Sequence, residues 1–89
     1  MHTWTPEDDI VVYYLRKFEG RGITFSVDRI GEMLGMGGNS LRMRIRNFEA
    51  LDGAGHLDHW AMISEAVYHQ YSDVAEQDHR AEVLKILRS

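Results

Sequence analysis

The sequence SVDRIGEMLGMGGNSLRMRIRNFEAL, residues 26–51, decides the fold. It contains two segments of helical apolar periodicity, separated by the run Gly35-Met36-Gly37-Gly38. The first segment is predicted as a helix at about 27–34, capped by Ser26, and the second as a helix at about 40–51. A glycine inside a helix costs about 1 kcal/mol relative to alanine, so the glycine run predicts a turn between the two helices.

The glycines and apolar residues of this stretch favour a helix-turn-helix, in which two helices cross at short distance. Gly31 lies inside the first helix and therefore indicates that another helix passes close to its backbone; tight packing in a helical bundle is the alternative. Leu41 and Ile45 have the spacing that holds the second helix on a core, and Asn39 or Ser40 can cap it. The whole stretch is therefore predicted to form a helix-turn-helix.

Three further helices are predicted around this unit. Thr5-Pro6-Glu7-Asp8 is a strong helix start, and the apolar stripe that follows it ends at Gly20. Helices are also predicted at about 62–71 and 74–88, the second with a capping box from Asp73 to Glu76. Its buried stripe is predicted to consist of Val74, Ala81, Leu84 and Leu87. Residues 1–89 are thus predicted as one all-α domain: a trihelical helix-turn-helix core plus two C-terminal helices.

The composition limits the classes of function. The chain has 89 residues, 44% of them apolar and 27% charged, which is typical of a compact folded domain with little room for a catalytic cleft. It has no cysteine, which excludes disulfides and thiolate zinc sites. No long apolar run or signal-peptide pattern is present, so a cytoplasmic protein without membrane contact is expected.

The net charge of -4 is unevenly distributed along the sequence. Residues 1–15 carry three acids and no base, and residues 47–89 carry eight acids against three bases. Residues 16–46 carry seven bases against three acids. Lysine and arginine neutralise nucleic-acid phosphates, so the positive segment indicates where a nucleic acid would bind, and it coincides with the predicted helix-turn-helix.

A helical projection of the second helix predicts a polar face opposite its core residues. That face comprises Asn39, Arg42, Met43, Arg46 and Asn47, while Leu41, Ile45 and Phe48 point to the core. Arginine can pair with guanine, asparagine with adenine, and methionine can contact the thymine methyl group. Arg42 and Arg46 are predicted to contact bases, and Arg44, Arg29 and Lys17 to contact phosphates.

Simpler explanations exist for these residues. Exposed arginines on a helix often do no more than solvate it. Asn39 is better explained as a helix cap than as a base contact, and Asn47 can bond the following loop.

The residues from Asn39 to Asp52 resemble a known module. Asn39-Ser40-Leu41-Arg42-Met43-Arg44-Ile45-Arg46-Asn47-Phe48, then Leu51-Asp52, Gly55, Leu57, Tyr68 and Tyr71, look like the helical module that precedes the nuclease domain of bacterial HNH-type restriction endonucleases. The resemblance implies a DNA-associated helical domain, with Ser40, Met43, Arg44, Asn47 and Phe48 at the motif positions. The His-Asn-His constellation of the nuclease is absent from the sequence. Trp4-Thr5-Pro6-Glu7-Asp8-Asp9 also resembles the start of a Myb/SANT-type trihelical unit.

Metal binding and catalysis find little support in the sequence. His56 and His59 flank Asp58 and could share a transition metal, with His69 or His79 as a further ligand, but exposed loop histidines explain the pattern better, because a metal site needs a third ligand that nothing in the sequence requires. The glycine run lacks the lysine and the spacing of a phosphate-binding loop. No nucleophile has an evident base, so a non-enzymatic protein without cofactor or bound metal is expected.

The sequence therefore predicts a non-catalytic helix-turn-helix protein that binds double-stranded DNA, either a prokaryotic or phage regulator of transcription or a restriction-associated component. A homodimer is predicted through the last helix, because Leu84, Ile86 and Leu87 spread over more than one of its sides. The alternative is an adaptor that binds a protein partner through the acidic C-terminal half.

Overall fold

The computed structural model describes residues 2–53 and 60–89. Within these ranges the chain forms helices and no strand, which confirms the predicted all-α fold. The helices are α1 Pro6–Phe18, α2 Val27–Met33, α3 Gly38–Leu51, α4 Met62–Tyr71 and α5 Glu76–Arg88. None of them is long and apolar enough to cross a membrane.

Helix α1 is the centre of the fold and packs against α3, α4 and α5. It begins with a complete capping box: the Asp8 amide donates to Thr5 Oγ1 at 3.2 Å, and the Thr5 amide donates to Asp8 Oδ2 at 3.1 Å. The predicted helix start is therefore confirmed. The apolar residues that follow are buried and join one core with side chains of the other four helices and of the turn between α2 and α3: Ile10, Val11, Val12, Tyr13, Tyr14, Ile30, Met36, Leu41, Phe48, Val67, Val83 and Leu87.

Helix α2 ends in a hydrogen-bonded glycine turn that leads directly into α3. The Met36 amide donates to Gly31 O at 2.7 Å and the Gly35 amide to Glu32 O at 3.1 Å, the pattern of a Schellman cap. Gly35 has a φ of 84°, the left-handed conformation that this cap requires and that glycine adopts without strain.

The structure gives a different reason for Gly31 than the sequence did. A β-carbon at Gly31 would lie 3.0 Å from Met36 O and 3.1 Å from Gly37 C. The group that approaches α2 here is the backbone of its own following turn, and no passing helix is needed to explain the glycine. Helices α2 and α3 nevertheless pack against each other.

The predicted start of α3 is wrong by two residues. The helix begins at Gly38 with Gly37 as its N-cap, so neither Asn39 nor Ser40 is the cap, and no side chain bonds the cap. Glycine is an acceptable N-cap. Position 38, in the first turn, suits glycine because the carboxylate of Asp28 occupies the space that a β-carbon would need.

The predicted boundaries of α4 are confirmed, but those of α5 need correction. Helix α5 starts at Glu76 with Ala75 as N-cap, and no side chain caps it, so the predicted capping box from Asp73 is absent. Ala81 is exposed, and His79 and Val83 are buried instead. The predicted stripe missed His79 because a search for apolar periodicity does not count a polar residue on a buried face.

Candidate nucleic-acid interface

Residues 39–46 of α3 carry the exposed polar residues of the predicted face. Its opposite side is anchored in the core by Leu41 and Phe48, both completely buried. The residues exposed to solvent are Asn39, Ser40, Arg42, Met43 and Arg46. The exposed stretch ends near Asn47, which is partly buried, and Ala50 on the next turn is buried.

The arginines exposed in this region are Arg42, which makes a long ion pair, and Arg29 and Arg46. Arg42 Nη1 lies 3.4 Å from Asp28 Oδ1, and both side chains are more than half exposed. Such surface pairs contribute roughly 0–1 kcal/mol and are easily exchanged for another anion. Arg46 on α3 and Arg29 on α2 are also exposed.

A shallow cavity of about 350 Å³ opens beside this face. Its walls come from α3 and from the segment that precedes α1, and its lining residues are Trp4, Ser40, Met43, Arg44, Arg46 and Asn47. No local pattern in the sequence places Trp4 on this surface, because its contact with Arg44 of α3 joins residues that are distant along the chain.

Arg44 does not lie at the flank as an exposed phosphate contact, so that prediction is corrected. Its Nε and Nη2 donate to Asp9 Oδ1 and Oδ2 at 2.8 and 2.7 Å, and Ser64 Oγ donates to Asp9 Oδ2 at 3.0 Å. The Asp9 side chain is fully buried and that of Arg44 is only 10% exposed. The guanidinium also lies over the Trp4 ring, 4.2 Å from its centroid. Arg44 therefore joins α3 to α1 and, through Ser64, to α4.

Lys17 is likewise occupied inside the fold, so its predicted phosphate contact is corrected. Its Nζ donates to Tyr71 O at 2.7 Å and to Val74 O at 3.0 Å, carbonyls at and just beyond the end of α4. The ammonium also lies over the Phe18 ring, 4.8 Å from its centroid. Burial lowers the pKa of Lys17. The residue stabilises the end of α4 and is not presented to a ligand.

The two asparagines of α3, Asn39 and Asn47, also differ in their environments: Asn47 is bonded within the fold and Asn39 is exposed. Asn47 Oδ1 accepts a hydrogen bond of 2.7 Å from the Ala61 amide, at the start of α4. This supports the alternative that Asn47 bonds the segment after α3. Asn39 is exposed in the first turn of α3.

Much of the positive charge of residues 16–46 is neutralised by acids from elsewhere in the chain. Arg16 Nε donates to Asp52 Oδ2 at 3.1 Å, and Arg21 makes two hydrogen bonds to the carboxylate of Glu76, at 2.9 and 3.2 Å. The basic segment of the sequence is therefore not one continuous basic surface. In the part of the chain that the structure describes, the cations exposed on the α2–α3 side are Arg29, Arg42 and Arg46.

His79 is a buried polar residue that the sequence reading missed. Its side chain is fully buried, its Nε2 lies 2.8 Å from Ile10 O, and its Nδ1 has no hydrogen-bond partner in the described part of the chain. Four aromatic rings surround it, those of Tyr13, Tyr14, Phe18 and Tyr71. Burial lowers the pKa of His79 below its ordinary value of 6.5. The bond to Ile10 ties α5 to α1.

The transition-metal site that the sequence analysis considered is centred on residues outside the described ranges. His56, Asp58 and His59 belong to that segment. Over residues 2–53 and 60–89, no group of three or more histidine and carboxylate side chains is arranged to hold a metal ion. His79 is bonded to a backbone carbonyl in the core.

In comparisons with known proteins, no family model, curated protein or solved structure matches this chain. The resemblance to the HNH-associated module therefore stays a prediction.

Proposed function

We propose that this protein binds double-stranded DNA through residues 39–46 of α3, as a non-catalytic helix-turn-helix protein. The observation that carries the proposal is the division of α3: one side is buried through Leu41 and Phe48, and the other exposes Arg42, Met43 and Arg46. A recognition helix of a helix-turn-helix contacts base edges through its N-terminal residues, and residues 39–46 include the first turns of α3.

The roles of individual residues follow from their exposure. Arg42 and Arg46 can each donate two hydrogen bonds to guanine in the major groove, and Arg29 on α2 can contact a phosphate. The pair between Arg42 and Asp28 is long and exposed, so its loss on binding costs little. Arg44 and Lys17 are not part of the proposed contact, because both are bonded within the fold.

The proposal is tested by fluorescence anisotropy with a labelled duplex of mixed sequence at about 50 and 200 mM salt. If Arg29, Arg42 and Arg46 together displace about three counterions from the phosphates, the affinity should fall roughly 40-fold over this range, since the logarithmic slope is about -0.9 per neutralised phosphate. The double variant Arg42→Ala plus Arg46→Ala should bind at least about tenfold more weakly, because a bidentate arginine is worth about 1–3 kcal/mol.

A matched control removes one positive charge from another surface. Lys85→Ala changes an exposed lysine on α5 and should leave the affinity nearly unchanged. Absence of binding to duplex at low salt, or equal loss of affinity in the α5 variant and the α3 variant, contradicts the proposal.

The proposal also includes a homodimer through α5, for which the structure leaves only part of the apolar surface that the sequence suggested. Leu87 is buried and Ile86 packs against the core of its own chain, so less apolar area is available to a partner than the sequence suggested. Leu84 lines an apolar cavity of about 320 Å³ together with Phe25 and Met33. Sedimentation over a range of protein concentrations distinguishes a dimer from a monomer.

The adaptor hypothesis loses support from the charges. It requires free acids in the C-terminal half, but Glu76 is paired with Arg21 and Asp52 with Arg16. Glu49, Asp73, Asp78 and Glu82 remain as acids without an ion pair to the described residues. Recovery of a protein partner without any duplex would favour the adaptor over DNA binding.

A further inference from the structure

We propose that the cavity between Trp4 and α3 reads the 5-methyl group of thymine. This inference rests on the proposed DNA-binding function and names the base that one part of α3 contacts.

The cavity combines an apolar surface with hydrogen-bond donors. The Met43 side chain is 64% exposed, although a residue of this size and polarity is usually covered. It lies on a face that otherwise exposes Ser40, Arg42 and Arg46, so it forms an apolar spot on a polar surface. The Trp4 ring lines the same cavity.

The position of Trp4 is fixed from two sides. The Arg44 guanidinium lies over its ring at 4.2 Å, and the His2 ring meets it at 4.9 Å in an edge-on arrangement. Arg44 is itself held by two hydrogen bonds to the buried Asp9, and His2 Nε2 lies 2.8 Å from Asp8 Oδ2. The cavity therefore has a preorganised aromatic wall, and preorganisation lowers the entropic cost of binding.

The chemistry of the major groove identifies the base. Among the base edges that the groove presents, the thymine methyl group is the apolar feature, and it stands next to the O4 acceptor. Met43 and Trp4 offer apolar contact for the methyl group, while Ser40 lines the same cavity and its hydroxyl can donate to O4. Guanine, cytosine and adenine have no methyl group at this edge and would leave most of the apolar contact unused.

The test begins with selection of bound duplexes from a random pool, followed by replacement of each thymine in the selected site by deoxyuridine. One thymine position per bound chain should be sensitive, with affinity about fourfold lower for uracil, since a buried methylene-sized group is worth about 0.8 kcal/mol. In Met43→Ala that sensitivity should disappear, and in Met43→Leu it should persist.

Met62 provides the matched control. It is an exposed methionine on α4, 83% exposed and outside the cavity lining. Met62→Ala should retain full discrimination between thymine and uracil. If selection recovers no duplex, the proposed function fails. If the chain binds duplex through Arg42 and Arg46 but tolerates uracil at every thymine, the function stands and the thymine pocket is refuted.

Discussion

Arg42 and Arg44 lie two residues apart on α3 and have opposite environments. Arg42 is exposed and makes one long contact with an exposed carboxylate, whereas Arg44 is nearly buried and makes two short bonds to a fully buried one. We refer to Asp9, Arg44 and Ser64 as the buried seam, and to Asn39, Ser40, Arg42, Met43 and Arg46 as the exposed face. One helix thus carries both the contacts that position it and the groups that we propose for binding.

The comparison shows why charge in a sequence is a poor measure of charge at a surface. In the basic segment, Arg44 is paired within the seam and Lys17 is bonded to backbone carbonyls. Arg16 and Arg21 pair with acids of the C-terminal half. The remaining binding face is small. With about three cations on that face, the affinity should be modest and its salt dependence shallower than that of a protein with about 6–10 phosphate contacts, and a second copy or partner should raise the affinity.

The largest predicted effect is the loss of the seam. Arg44→Ala leaves the Asp9 carboxylate buried without its counter-ion, which should lower the free energy of unfolding by about 3–5 kcal/mol. Arg42→Ala, the matched change on the exposed face, should lower it by less than about 0.5 kcal/mol. Urea unfolding followed by circular dichroism measures both. Similar stabilities for the two variants would show that the seam does not hold the fold.

The next effect concerns the end of α4. Lys17→Met keeps the aliphatic stem but removes the donor to Tyr71 O and Val74 O, and should cost about 1.5–3 kcal/mol because hydrogen bonds to charged groups are strong. Lys85→Met, on an exposed lysine of α5, is the control and should change stability by less than about 0.5 kcal/mol. A Lys17→Met variant as stable as the control would argue against the capping role.

The pH dependence of stability should reveal His79. Burial keeps the pKa of His79 below 6.5, so the unfolded chain takes up a proton that the folded chain does not. Its stabilising effect is complete above about pH 6.5 and is lost as the pH falls below that value, by up to about 1.4 kcal/mol per pH unit. The charged group that faces it is Lys17 on α1, and the ionisable hydroxyls around it belong to Tyr13, Tyr14 and Tyr71.

The variant His79→Phe should show a smaller loss of stability than the natural chain between about pH 7 and pH 5. Unfolding by urea at a series of pH values measures the difference. A variant that follows the same pH profile as the natural chain would mean that another group dominates the acid sensitivity.

The smallest predicted effect compares the two asparagines. Asn47→Ala removes the acceptor of the Ala61 amide and should cost about 1 kcal/mol. Asn39→Ala changes an exposed residue of the same helix and should be nearly neutral for stability. If Asn39→Ala lowers the stability more than Asn47→Ala does, Asn39 stabilises the fold through a contact other than the hydrogen bonds of the described residues.

The features that the sequence predicted well are local ones. The helix start at Thr5, the cap at Ser26 and the turn at Gly35 depend on contacts within a few residues, and each is read directly from residue types. The start of α3 was misplaced because three glycines in four residues make several N-caps possible.

The features that the sequence could not predict are contacts between distant residues. A helical projection gives the angle of Arg44 on its own helix, but it cannot tell that Asp9, 35 positions away, lies opposite. The same holds for Lys17 and the carbonyl of Tyr71, 54 positions away. Burial of His79 depends on α1 and α4 enclosing one turn of α5, which no local pattern encodes.

The measurement that tests the central claim most directly is a map of backbone amide chemical shifts during titration with the selected duplex. We expect the largest changes at residues 39–46 and at Arg29, with α5 residues such as Lys85 nearly unaffected, and we expect salt to reverse them. Changes centred on α5, or none on the exposed face of α3 at saturating duplex, would contradict the account.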